Sequence, residues 1–292
     1  MKTISSKNII LKMDKDNFPV YFMESGESVR VETLDCYANQ FHEGGDPETV
    51  KASNPATGPI FLNSARAGDT LKITIERIEL ESKGVVRLTK GNDVLGSRIE
   101  KKNLKVIDIL DDYATYDDIK IPLKPMIGVI GVAPKNEGIS NFAPGSHGGN
   151  MDCKEIKENS VVYLPIFQDG ALLSLGDLHA AMGDGEIGNS GLETSGVVQI
   201  RVQVRENIKI NNPVVISDDR LYCIASNENL DAAIDEVMTN MLDILVKDEN
   251  MKEVDAIRLM TLVTDLGICQ IVNPLKTVKL SIPLEYLKNS KF

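Results

Sequence analysis

Between residues 141 and 193, glycine-rich stretches carry two of the chain's three histidines and a succession of carboxylates. Asn141-Phe-Ala-Pro-Gly-Ser-His-Gly-Gly-Asn-Met-Asp152 surrounds His147 with glycines and ends on Asp152. Such a segment loses much chain entropy on ordering, and a bound metal or substrate would supply the compensating enthalpy. Gly176-Asp-Leu-His179 sets Asp177 and His179 two apart at the end of an apolar run, where the strand period of two turns both side chains to one face. Gly183-Asp-Gly-Glu186 adds Asp184 and Glu186 on a tight loop, and Glu193 follows in Gly191-Leu-Glu193. Asp35, at the end of the run Ser28–Leu34, is a further carboxylate from a distant part of the chain.

Imidazole with carboxylate oxygens suits Zn²⁺, Mn²⁺, Fe²⁺ or Ni²⁺. An ion with an open position can lower the pKa of water from about 15.7 to about 7 and polarise a carbonyl. The expected chemistry is therefore hydrolysis, with Glu186 or Asp184 carrying a proton to a departing nitrogen. Each fragment alone also has an ordinary reading: Asp-x-His as a strand end, Gly-Asp-Gly-Glu as a turn, Asp35 as turn chemistry. The density of the ensemble is what points to a site. His42, in another glycine-rich loop, reads as a surface histidine or a substrate-side residue. Cys153 is a nucleophile only if its thiol pKa is lowered and a base stands beside it.

The elements that must hold these residues are mainly β. Short runs broken by Gly, Pro, Asn and Asp extend to about residue 225, the pattern of a β-sandwich or barrel. Val29, Val31 and Thr33 share one face. The run Leu71–Ile75 alternates until the phase slips before Ile78 and Leu80, as at a bulge. Asn54-Pro-Ala-Thr-Gly-Pro59 reads as a rigid loop. After Ser226 the period becomes helical, with Leu230, Ala233, Val237, Met241 and Leu245 in one stripe. A second stripe runs over Ala256, Leu259, Met260, Val263 and Leu266, with Gly267 expected as its left-handed C-terminal residue. Both stripes read as core-packing faces, and the runs Ile268–Val272 and Thr277–Ile282 return to strand character. The expected fold is thus a β-sandwich-like core with two amphipathic helices. Residues 1–225 form the β-rich region carrying the site loops, and 226–292 an α+β segment packed on the same core.

Composition narrows the function classes. The chain has 292 residues, 42% apolar and 26% charged, with 32 Lys+Arg against 43 Asp+Glu for a net charge of −11 and no Trp. Clustered cations and aromatic platforms are what nucleic-acid binding demands, so no nucleic-acid partner is expected. No apolar run approaches a membrane span, and the N-terminus leads into no apolar signal core, so a cytoplasmic protein without a membrane partner is expected. The four cysteines are widely spaced and are expected to be reduced.

The chain resembles the acetamidase/formamidase family nearly end to end. The resemblance is carried by Glu32-Thr-Leu-Asp35, Asn54-Pro-Ala-Thr-Gly-Pro59, Pro125-Met-Ile-Gly-Val-Ile-Gly-Val-Ala-Pro134 and Pro144-Gly-Ser-His-Gly-Gly-Asn-Met-Asp152. Gly176-Asp-Leu-His-Ala180 continuing to Gly183-Asp-Gly-Glu186 is the other long specific stretch. The resemblance implies hydrolysis of small linear amides to a carboxylate and ammonia, a β-rich fold, and a metal-associated site. Carried over, it implies His147, Asp152, Asp177, His179 and Glu193 as metal ligands, with Asp35 as a further one. The expectation is a metal-dependent amidohydrolase, most simply with Zn²⁺, Ca²⁺ entering as an additional structural ion, and with a homodimer or larger homo-oligomer as its assembly. Two alternatives stay open: a non-catalytic Ca²⁺-dependent β-sandwich binding module, and a metal-free cysteine amidase using Cys153.

Overall fold

The computed structural model describes residues 1–41, 46, 48–49, 54–91, 95–289 and 291–292. His42 lies outside the described residues.

Among the described residues two large sheets face each other across one apolar core. The first is nine-stranded, in the order Lys2–Ile4, Ser28–Thr33, Gly196–Arg205, Thr70–Leu80, Val161–Pro165, Val214–Ser217, Arg220–Asn227, Lys276–Pro283, Asp265–Gln270. The second runs Pro144–Gly145, Gly148–Asn150, Met126–Gly131, Leu173–His179, Glu193–Thr194, Lys83–Leu88, Asn103–Asp108, with Ala56–Leu62 also pairing Leu173–His179. Alternation decides what each strand buries: Val29, Val31 and Thr33 point inward and are buried, while Ser28, Arg30 and Glu32 are only partly so. The phase slip after Ile75 is a bulge. Ile200 pairs with Ile75 and Gln199 with Arg77, so Glu76 is the extra residue, and Ile78 returns to the core.

Two expectations need correcting. The stretch Asn54–Pro59 is not a loop throughout, because Ala56–Leu62 is a strand. Its partner register shifts from Leu175 opposite Thr57 to Leu173 opposite Ile60, and that extra residue accommodates Gly58 and Pro59 within the pairing. A side chain at Gly58 would press on Ser174 Oγ at 2.5 Å and on Leu173 O at 2.8 Å. Gly267 is likewise not a helix terminus. The second helix ends earlier, and Gly267 pairs with Lys279 inside the edge strand Asp265–Gln270.

Helix α1 (Leu230–Lys247) opens on Asn229, whose side chain accepts the Ala232 N–H, and buries Ala233, Val237, Met241, Ile244 and Leu245. Helix α2 (Glu253–Val263) buries only Ala256 fully. Leu259, Met260 and Val263 pack against a second apolar cluster shared with α1 and the strands around Leu221 and Leu280. Val254, Ile257 and Leu262 are exposed, so this helix covers the core with only part of its apolar surface. No described helix is long and apolar enough to cross a membrane.

Candidate active site

Three acidic residues of the candidate site are among those held in the left-handed backbone region, which is uncommon for residues with a side chain: Asp152 at φ 45°, Asp177 at φ 59° and Glu186 at φ 46°. Asp177 lies inside the strand Leu173–His179, and Asp152 follows the hairpin strand Gly148–Asn150, in which Gly148 and Gly149 also have positive φ. Glu186 follows Gly185, whose N–H donates to Cys269 O and whose carbonyl accepts from Ile271 N. These backbone settings turn side chains from separate elements toward one point.

Ligand atoms of Asp152, His179 and Glu186 lie within 4.8 Å of one another, and so do those of Cys36, Asp177 and Glu193. His179 joins the two groups, with Nε2 3.1 Å from Glu193 Oε2 and 3.5 Å from Asp177 Oδ1. Strand register brings Glu193 there, because it sits directly opposite His179. All but Cys36 are buried. Glu193 Oε1 is fixed by the Gly191 N–H at 2.9 Å and by Ser190 Oγ at 3.2 Å. Asn273 Nδ2 donates to Asp152 Oδ2 at 2.6 Å and to Asn150 O at 3.0 Å. The Asn150 side-chain amide, oriented to satisfy its neighbours, donates to Asp152 Oδ2 at 3.2 Å and Asp177 Oδ2 at 3.0 Å.

Burial and mutual repulsion dominate the electrostatics. Burial and Asp177 lift Asp152 to about 6, burial and Asp152 lift Glu186 to about 10, and burial lifts Glu193 to about 7. For Asp177 burial acts upward, but His179 outweighs it and holds the carboxyl below its usual range. Burial acts downward on His179, yet Glu193 and Asp177 prevail and raise it well above the ordinary imidazole value. Burial raises the Cys36 thiol strongly, and Glu193 and Asp177 add to it.

The donors suit a divalent cation. Asp177 Oδ1, Glu193 Oε2, Glu186 Oε2 and both ring nitrogens of His179 are buried without a directed hydrogen bond, a costly condition that a cation at their centre would relieve. Gly128 keeps the space open, since a Cβ there would lie 2.6 Å from Asp152 Oδ1 and 2.8 Å from Asp177 Oδ2. Imidazole, carboxylate and thiol form a donor set that fits zinc.

Three of the candidates stand apart. His147 is buried between Gly145 and Gly149, belongs to neither group, and burial alone lowers its pKa to about 4. Asp184 pairs with Lys154 and Lys279 at 2.8 Å each instead of joining Glu186. Asp35 accepts the N–H groups of Tyr37 and Asn39, so it shapes the turn that presents Cys36. Cys36 and Asn273 join these groups without being marked by any motif, whereas Asn150 lies within the Pro144–Asp152 motif. Cys153 is fully buried, donates to Glu155 Oε2 at 3.2 Å, and has its thiol pKa raised by its contact with Cys269 and by burial, the reverse of what a nucleophile requires.

The comparisons with known proteins agree with one another. An acetamidase from Bacillus halodurans superposes with a TM-score of 0.95 at 40% identity, over 99% of this chain and 100% of that one. The chain belongs to the acetamidase/formamidase family. The family model itself, described as the acetamidase/formamidase family, matches residues 135–221, the stretch that carries Asp152, Asp177, His179, Glu186 and Glu193. A predicted acetamidase/formamidase from Thermoanaerobacter tengcongensis superposes with a TM-score of 0.94 at 41% identity, over 98% of this chain and 97% of that one. The formamidase of Methylophilus methylotrophus is 41% identical over 83 residues, 27% of this chain. This member of the family spans less than two thirds of the curated relatives it matches: 61% of a Schizosaccharomyces pombe protein and 20% of the Methylophilus formamidase.

A cleft of about 570 Å³ opens onto the site. Glu186, Ser190 and Gly191 are among its lining residues, and a Cβ at Gly191 would lie 2.6 Å from His179 Cγ.

Proposed function

We propose that the protein hydrolyses small linear amides to a carboxylate and ammonia, with formamide and acetamide as the first substrates to try. The observation that carries this reading is the convergence of Asp152, Asp177, His179, Glu186 and Glu193 beside a cleft, buried and with several polar atoms unsatisfied. Family membership supports the same reaction class. His179, Asp152, Asp177, Glu193 and Cys36 are the residues that would hold a divalent ion, zinc by donor type. When bound, such an ion supplies Lewis acidity toward the amide carbonyl and makes water acidic enough to ionise near neutrality.

The chain's own groups divide the work. Glu193, held by the Gly191 N–H and Ser190 Oγ, is oriented toward the ion it would help to hold and takes no part in proton transfer. Glu186, lifted to about 10 and lining the cleft, holds its proton at neutral pH and can deliver it to the leaving nitrogen. Gly191 lets the backbone pack directly against the His179 ring, where a Cβ would lie 2.6 Å from Cγ, and so fixes the imidazole in place.

The test is ammonia release from formamide and acetamide, with metal content measured on the same sample before and after chelation. Release that vanishes with the metal and returns on its addition supports the reading. Bound metal without release from any amide would overturn it, and release from metal-free protein would overturn its metal dependence. The same reading extends to a cytoplasmic enzyme, to Ca²⁺ as an additional structural ion, and to a homo-oligomer. Sedimentation of the purified protein checks the last of these.

A further inference from the structure

The cleft beside Glu186 is far larger than the smallest amides and is walled by hydrocarbon. Its volume of about 570 Å³ falls among pockets that enclose drug-sized ligands, about 300–1,000 Å³. Formamide carries nothing beyond its carbonyl carbon and acetamide only a methyl group. Val86, Ile107, Ile121, Met182, Ile187 and Leu192 are among its apolar lining residues, and Lys124 and Asp184 also line it. Ile107 and Leu192 are seated in a small apolar cluster of their own, which fixes the inner wall, whereas Ile187 is 60% exposed and Tyr116 is 38% exposed. Exposed apolar surface that is continuous with a catalytic group is surface a ligand can dehydrate. Glu186 and Ser190 belong to the site and also line the cleft, and most of its remaining lining is apolar, so an occupant can set a polar end at Glu186 and apolar surface against the rest.

We propose that the preferred substrate is a primary amide with a medium-length, uncharged aliphatic acyl group, of the butyramide to hexanamide class, its carboxamide at Glu186 and its alkyl chain along Met182, Ile121 and Ile107. This rests on the amidohydrolase reading above and names the substrate class of that site. The reaction is unchanged in its balance: water adds across the acyl carbon–nitrogen bond, the acyl group leaves as the carboxylate, and the nitrogen leaves as ammonia with the proton from Glu186.

The experiment is a substrate ladder on the metal-loaded enzyme, measuring kcat/KM by ammonia release for formamide, acetamide, propionamide, butyramide and hexanamide. Burial of each methylene raises kcat/KM by about fourfold. In Met182→Asn and Ile121→Asn the hexanamide-to-acetamide ratio of kcat/KM falls by about tenfold or more. A flat or falling ladder with measurable formamide hydrolysis overturns this inference and leaves the amidohydrolase intact. Silence toward every amide overturns the amidohydrolase reading instead. Calorimetric titration with the products separates the two cases: hexanoate binding at least about tenfold tighter than acetate supports the cleft assignment, and equal affinity overturns it whatever the turnover.

Discussion

Glu186 and Asp184 are two residues apart on one loop, yet they have opposite fates. Gly185 turns left-handed between them, and Lys279 and Lys154 draw Asp184 away while Glu186 turns inward against Asp152. If Glu186 is the proton donor, Glu186→Gln keeps its shape, leaves metal content near that of the wild type, and lowers kcat by about 10²–10⁴-fold. Loss of metal in that variant would make Glu186 a ligand instead. His179→Ala, by contrast, removes the group that joins both clusters, and both metal content and activity should collapse. The raised carboxyls also set a pH dependence of the metal-free protein. A carboxyl whose pKa is higher folded than unfolded leaves the native state with more bound protons, so stability is present at low pH and is lost as pH rises through the folded value. For Asp152 and Glu193 that window runs from the usual carboxylate range to about 6 and about 7, and Glu186 extends it toward about 10. The raised imidazole of His179 acts in the same sense; the lowered His147 opposes them between about 4 and the ordinary imidazole range, and the lowered Asp177 only below the ordinary carboxylate range. Chelated protein should therefore show a denaturant midpoint that declines from pH 5 to pH 8, and zinc should abolish the decline. At this scale, Asp152, Asp177, His179, Glu186 and Glu193 were legible because glycine-rich loops flag them. Cys36 and Asn273 were not, since only tertiary packing brings residues so distant in sequence to the same carboxylates.

The elements explain why single glycines matter. Met126–Gly131 lies beside both Gly148–Asn150 and Leu173–His179, and Gly128 is the point where the side chains of Asp152 and Asp177 meet. Gly128→Ala should lower metal affinity and activity together, because the added methyl occupies the space of two carboxylates, and the metal-free fold can be checked by circular dichroism. The turn between the last two strands reaches the same site. Gln270, fully buried, accepts the N–H groups of Val272 and Asn273, and so holds Asn273 where it donates to Asp152. Partners outside the ligand shell orient metal ligands, and their removal typically costs about 10–100-fold in metal affinity. Asn273→Ala should show a loss of that size in a competition titration, with the thermal midpoint of the metal-free form little changed. The C-terminal strands were readable from β-branched runs, and α1 from its apolar period. The end of α2 was not, because Leu266 continues the helical spacing while its backbone is already committed to pairing Leu280.

Across the whole molecule, a buried ion cluster ties the C-terminal sheet strands to the site. Lys279 Nζ lies 2.8 Å and 2.9 Å from the two oxygens of Glu155 and 2.8 Å from Asp184 Oδ1, and the lysine side chain is 8% exposed. Glu155 follows Asp152 in the chain by three residues, and Asp184 precedes Glu186 by two, so one ammonium anchors both loops that carry these candidate site carboxylates. Lys279 and Lys154 together balance Glu155 and Asp184, and Lys279 is the cation that faces Glu155. Removing the cation alone leaves Glu155 ionised in an apolar setting, and breaking a buried pair in this way costs about 3–5 kcal/mol. Lys279→Met should therefore shift the denaturant midpoint downward by that amount, and Glu155→Gln in the same chain should recover part of the loss by removing the stranded charge. If Lys279 also aligns the loops, the double variant would regain stability without regaining full activity, because Lys154 alone would then hold Asp184. A double variant that recovers both stability and turnover would show that the cluster serves the fold and that the Gly185 backbone bonds alone keep Glu186 in place.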